Sequence, residues 1–260
     1  MINRVHGPGS FPDNARRAKS DGNLPVELQE LVDQLAVTTV APQATDSDWP
    51  VSIFVPERYE ENYAYPLLIW FHDTGSHEGQ LESVMAAISG QNYCGLGIQG
   101  NQTLVEDQSW GWDSDLLEYG EVPLRDLLSV TVRRMRQAFH IHSERIFLAG
   151  CGAGADVALQ QLVNCPEWYA GAVLLDPVCD TATQSSLMGA QLTDCPLLWT
   201  VSGTATREIL AQNVEAVQLA RAAGASPDVR VTDSEMNPEG SDVRFIDHWL
   251  LSHLGERAWI

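Results

Sequence analysis

Residues 145–155 read Arg-Ile-Phe-Leu-Ala-Gly-Cys-Gly-Ala-Gly-Ala, and no other stretch of the chain restricts the fold as tightly. An apolar run ends there in Gly150-Cys151-Gly152-Ala153-Gly154, and a helix-like pattern follows. Glycine at alternate positions lets a backbone adopt left-handed conformations and pass close to other backbone. The pattern predicts a buried strand that turns at once into a helix. A strand feeding a helix in this way is the repeating unit of a parallel sheet with helices on its faces.

The rest of the chain repeats that unit. Short apolar runs occupy residues 51–55, 67–71, 93–98, 146–149, 172–175, 197–201 and 229–231. Several are continuous rather than alternating, as expected of strands buried on both faces. Helical spacing recurs between them, at 80–88, 123–139, 153–163, 207–223 and 241–254. Pro123 suits a first helical turn, and Leu124, Leu127, Leu128, Thr131, Met135 and Phe139 then share one stripe. The expected fold class is α/β, with a mainly parallel central sheet flanked by helices on both faces. Ligands in such sheets sit at the carboxyl ends of the strands. Residues 99–120 form the longest segment without periodicity and hold Trp110, Trp112 and Tyr119. Loops of this length are often functional, so Trp110 and Trp112 are pocket candidates.

Composition narrows the partners. The formal charge of −20 argues against nucleic acid and against anionic membrane surfaces. No apolar run approaches the length of a membrane span. The cysteines, Cys94, Cys151, Cys165, Cys179 and Cys195, are odd in number and scattered, which suits reduced thiols in a cytoplasmic protein. Residues 1–23 are rich in Gly, Pro, Asn, Arg and Ser and are expected to form a flexible arm. Residues 24–260 are expected to form one domain. A helical pattern opens that domain at 24–37.

The order of the motifs resembles the serine esterases of the α/β-hydrolase superfamily, in particular their carboxylesterase and phospholipase-type branch. The likeness covers residues 48–254. It begins at Leu67-Leu68-Ile69-Trp70-Phe71-His72-Asp73-Thr74-Gly75, where the family has an apolar strand and a His-Gly loop. A backbone N–H of that loop helps build the family's oxyanion hole. Asp73 stands where glycine is common, and an inward carboxylate would weaken oxyanion stabilisation. The nucleophile, in a Gly-x-Ser-x-Gly turn, lies seven residues after an opening Arg or Lys, which from Arg145 is Gly152. The second oxyanion donor, the next N–H, is that of Ala153. The acid's turn is reproduced by Ser202-Gly203-Thr204-Ala205-Thr206, with Thr206 in its place. The loop before the final helix, 233–240, contains no histidine, and Met236 stands about where one belongs.

The resemblance therefore implies an esterase scaffold whose Ser-Asp-His triad is lost, with no cofactor and no metal. Glycine cannot attack a carbonyl, threonine cannot hold an imidazolium, and methionine cannot relay a proton. Binding of an ester-like small molecule or a protein partner is the expected role, with His72, Cys151, Trp110 and Trp112 as pocket candidates. Two alternatives stay open. Cys151 could serve as an unconventional nucleophile, although a one-residue shift on a strand turns its side chain to the other face. Gly150, Gly152 and Ala155 also fit the dinucleotide fingerprint Gly-x-Gly-x-x-Ala, with Asp176 ending the next strand. Asp176 is read as a turn cap or, in a few hydrolases of this fold, as the position of the acid.

Overall fold

The computed structural model describes residues 26–35, 37–39, 48–104, 109–113, 117–118, 120 and 123–254. The expected arm, residues 1–23, and Tyr119 lie outside them. In chain order the strands are β1 (Val37–Thr39), β2 (Asp48–Phe54), β3 (Tyr65–Phe71), β4 (Cys94–Ile98), β5 (Gln102–Leu104), β6 (Ser109–Gly111), β7 (Ile141–Cys151), β8 (Gly171–Leu175), β9 (Pro196–Ser202) and β10 (Ser226–Thr232). The helices are α1 (Val26–Leu35), α2 (Leu81–Ile88), α3 (Leu124–Ala138), α4 (Ala153–Asn164), α5 (Thr181–Leu187), α6 (Arg207–Ala222) and α7 (Arg244–His253).

Eight strands build one sheet in the order β1-β2-β4-β3-β7-β8-β9-β10. From β4 to β10 every pairing is parallel; β2 runs antiparallel to β4, and β1 antiparallel to β2. The continuous apolar runs are explained by burial on two sides. Every residue of β3 is buried, yet Leu67, Ile69 and Phe71 join one core cluster while Leu68 and Trp70 join the other. α1, α3, α4, α5 and α6 contribute side chains to the first cluster, and α2 and α7 to the second. The expected fold class is the observed one.

Register sets where a site can form. Phe71 pairs with Gly150, Cys151 with Leu175, and Leu175 with Thr200. β3, β7, β8 and β9 therefore end along one edge, and the loops at 72–77, 152, 176–180 and 203–206 gather there. Several elements, among them α5 and the strands β5 and β6, escaped the sequence reading for physical reasons. α5 buries only Thr183 and Leu187, so it carries too thin an apolar stripe to show a period; Asp180 caps it by accepting the Thr183 N–H at 2.8 Å. The segment 99–120 contains the hairpin of β5 and β6, whose short strands are mostly half-buried or exposed. No helix among the described residues is long and apolar enough to cross a membrane.

Candidate functional site

The turn after β7 is as tight as its glycines imply. Gly152 has φ 54° and ψ −125°, a left-handed conformation that resists side chains. Its N–H bonds the Leu175 carbonyl at 2.9 Å, and its carbonyl accepts the Ala155 N–H at 3.0 Å. The flanking glycines have a different reason. A Cβ at Gly154 would strike the carbonyls of Phe71 and His72, and one at Gly150 would strike the Gly154 carbonyl. These two positions let α4 start directly against the ends of β3 and β7.

Asp73 fills the space above the turn. A Cβ at Gly152 would collide with the Asp73 carboxylate, and no other group is as near. Asp73 Oδ1 accepts the N–H of Thr74 at 2.7 Å and that of Ala153 at 3.0 Å. One donor belongs to the loop after β3, and the other follows Gly152. They are the two kinds of donor that the esterase resemblance assigns to an oxyanion hole. The donors thus converge, and the chain's own carboxylate occupies the point of convergence. No side chain within the turn caps α4, and Asp73 supplies that cap from 80 residues away. A negative group at a helix N-terminus is also favoured by the helix dipole.

The loop holding Asp73 is braced from below. His72 is fully buried, and its Nε2 accepts the Gly100 N–H at 3.0 Å. That bond assigns the remaining proton to Nδ1, which donates to the Asp73 carbonyl at 2.7 Å. Burial pushes the His72 imidazole down to about 4, so it stays neutral near pH 7. Trp112 donates its indole N–H to the His72 carbonyl at 2.8 Å, with the rings 5.0 Å apart. Trp110 joins the same loop through its backbone, which exchanges bonds with Gly75 and Ser76, each 2.9 Å. His72 was expected as a pocket wall; with its ring enclosed and both nitrogens occupied it instead supports the loop. Trp112→Phe, which keeps an aromatic ring but removes the N–H and part of the indole, should cost at least about 1 kcal/mol in urea unfolding; an unchanged midpoint would dismiss the brace.

The other expected positions fall around this edge. Thr206 is exposed and caps α6, its Oγ1 accepting the Ile209 N–H at 3.3 Å. The preceding turn is closed by Ser202 and Thr204, whose hydroxyls lie 2.7 Å apart. Met236 is buried against the α2 and α7 face. Its backbone N–H donates to Asp176 Oδ2 at 2.8 Å, while Asp176 Oδ1 accepts the Thr200 hydroxyl at 3.2 Å. Asp176, with φ 47°, is thus the carboxylate that meets residue 236, and it comes from the end of β8 rather than from the Thr206 turn. Cys151 points into the second core cluster with 7% of its surface exposed. Burial, reinforced by the charges of Asp73, Asp176 and Glu235, pushes its thiol up to about 12. Among the described residues no group of three or more His, Cys, Asp or Glu could hold a metal ion.

A carboxylate that sequence reasoning passed over lies one turn into α4. Asp156 accepts the N–H groups of Val178 and Cys179, each at 3.0 Å, and so ties α4 to the loop leaving Asp176. Its only sequence signal is its place in the first turn of a helix.

No protein-family model matches the chain, and a comparison with curated proteins finds no match. Comparison with solved structures does. A carboxylesterase of Bacillus cereus is 16% identical over 79% of this chain and 95% of its own, with a TM-score of 0.60. A carboxylesterase of Mesorhizobium loti is 15% identical over 82% and 99%, also at 0.60. The fluorophosphonate-binding serine hydrolase F of Staphylococcus aureus is 11% identical over 84% and 96%, again at 0.60. At these identities the likeness concerns the fold, which is that of the α/β-hydrolases.

Proposed function

We propose that this chain is an esterase-type α/β-hydrolase homologue that no longer hydrolyses esters and acts by binding. The observation that carries this reading is the Asp73 carboxylate. It takes both N–H donors at the turn and the volume in which a side chain at residue 152 would stand. Ester hydrolysis needs those donors free to meet the oxyanion that develops in the transition state. A fixed negative charge at that point opposes the same oxyanion. The likeness in fold to carboxylesterases supports the esterase ancestry in this reading.

The two alternatives gain little from the geometry. A nucleophilic Cys151 would have to ionise against burial and three neighbouring carboxylates, and only the thiolate attacks. A dinucleotide would set its pyrophosphate on the N-terminus of α4, where Asp73 already accepts the Ala153 N–H and repels anions. The ligand is therefore a neutral or cationic small molecule, or a protein partner, rather than a carboxylate or phosphate at the elbow. The cysteines at 94, 151, 165, 179 and 195 are all free and buried, which supports placement in the cytoplasm.

p-Nitrophenyl acetate and butyrate test the reading directly. The wild type and Cys151→Ala should both leave these esters at the buffer rate. Robust turnover by the wild type would overturn the loss of hydrolysis. If that turnover vanished in Cys151→Ala, the cysteine would be its source.

A further inference from the structure

We propose that a cleft at the opposite end of the sheet from the elbow binds a planar aromatic anion. The cleft has a volume of about 340 Å³, within the range of small-ligand sites. It lies between α3 and the turn at Pro166–Trp168, beside the start of β7. Ser143 and Ile146 of β7 line it, and Gly152 lies six residues beyond Ile146. At about 3.3 Å per strand residue the two places are roughly 20 Å apart.

Charge gives the first half of the argument. The chain as a whole carries −20, yet Arg133, Arg134, Arg136 and Arg145 stand within 13 residues of one another. Arg133 and Arg136 are three apart on α3, so they share one helical face, and both line the cleft. Arg136 is held in place by donating to the Ser143 carbonyl at 2.6 Å. Arg133 has no carboxylate partner among the described residues. Glu167 is the one carboxylate in the lining, against two arginines. A guanidinium fork recognises carboxylate and phosphate oxygens in pairs.

The apolar half comes from the other wall. Trp168 is 39% exposed although it is among the largest side chains of the chain, and it stands beside the arginines. Its ring meets Tyr169, another lining residue, edge-on at 6.5 Å. Leu128 and Val132 add aliphatic floor. An indole beside two guanidinium groups suits a flat ring that carries an anionic group, because each part of such a ligand has a partner. The anionic group is either a carboxylate or a phosphate.

Titration calorimetry on the full chain with benzoate and with phenyl phosphate reads the two anionic groups separately. At least one should bind saturably, about tenfold tighter than inorganic phosphate. Arg133→Gln and Trp168→Leu should each weaken that binding about tenfold, and Arg133→Lys should recover only part of it. Both residues are exposed, so thermal unfolding of these variants should match the wild type. Met236→Leu, at the elbow, should leave binding unchanged. The proposal fails if neither aromatic anion saturates at millimolar concentration, or if inorganic phosphate binds as well. It fails equally if Arg133→Gln binds normally, or if Met236→Leu abolishes binding.

Discussion

Gly152→Ser should lose about 4 kcal/mol of unfolding free energy and gain no esterase activity. Two contributions add. A side chain at φ 54° costs about 1–3 kcal/mol, and the collision with Asp73 evicts the carboxylate from its helix cap and its bond to Thr74, together worth about 2 kcal/mol. The decisive measurement is a double-mutant cycle by urea denaturation. Asp73→Gly alone should cost about 2 kcal/mol, because α4 loses its cap and the loop its bond to Thr74. In Asp73→Gly/Gly152→Ser the collision is absent, so the pair should be more stable than the sum of the single changes by about 2 kcal/mol. Strict additivity would mean that the carboxylate does not occupy the space over residue 152. Neither variant should turn over p-nitrophenyl acetate, since Met236 supplies no proton relay.

Stability should depend on pH through two buried groups that act in opposite directions. His72 has its imidazole held down to about 4 in the folded chain, against about 6.5 when free. Between these values the unfolded chain binds a proton that the folded chain refuses. Stability is therefore lost as pH falls from about 6.5 to 4, by about 3 kcal/mol. Asp156 is the reverse case. Burial, only partly offset by the Cys179 and Val178 N–H bonds, raises its carboxyl to about 7. The folded chain then keeps a proton that the unfolded chain releases above pH ~4, so stability is lost as pH rises from about 4 to 7, by at most about 4 kcal/mol. Other carboxylates titrate in the same window, so differences between chains carry the signal. The advantage of wild type over Asp156→Asn should grow on going from pH 7.5 to 4, and its advantage over His72→Gln should shrink. Differences that do not change with pH would dismiss both assignments.

The turn at residue 152 was legible because each glycine reports a local backbone demand. Gly150 and Gly154 mark close approaches, and Gly152 marks a left-handed conformation. The strands were legible for a similar reason: burial on two faces leaves an unbroken apolar run, as in β3. Thr206 was visible as a residue without catalytic chemistry, and the structure adds a reason for it, the cap on α6. The role of Asp73 was only half visible. Its negative charge was plain, but its bond to Ala153 spans 80 residues and exists only once β3 and β7 pair. Asp176 and residue 236 likewise meet only through the sheet, 60 residues apart in the chain. The β5–β6 hairpin was not legible, since three-residue strands that bury little show no period.

The contact between Asp73 and residue 152 also sets an order on change. While aspartate stands at 73, a serine arriving at 152 meets a collision and lowers stability, so selection would remove it before any chemistry could be tested. Aspartate must first leave position 73, and that step alone gives up the cap on α4. Either order of the two changes thus begins with a step that lowers stability. On the proposed loss of hydrolysis, such a pair would hold a lineage in place by epistasis, much as a ratchet holds a wheel, without any selection against esterase activity itself.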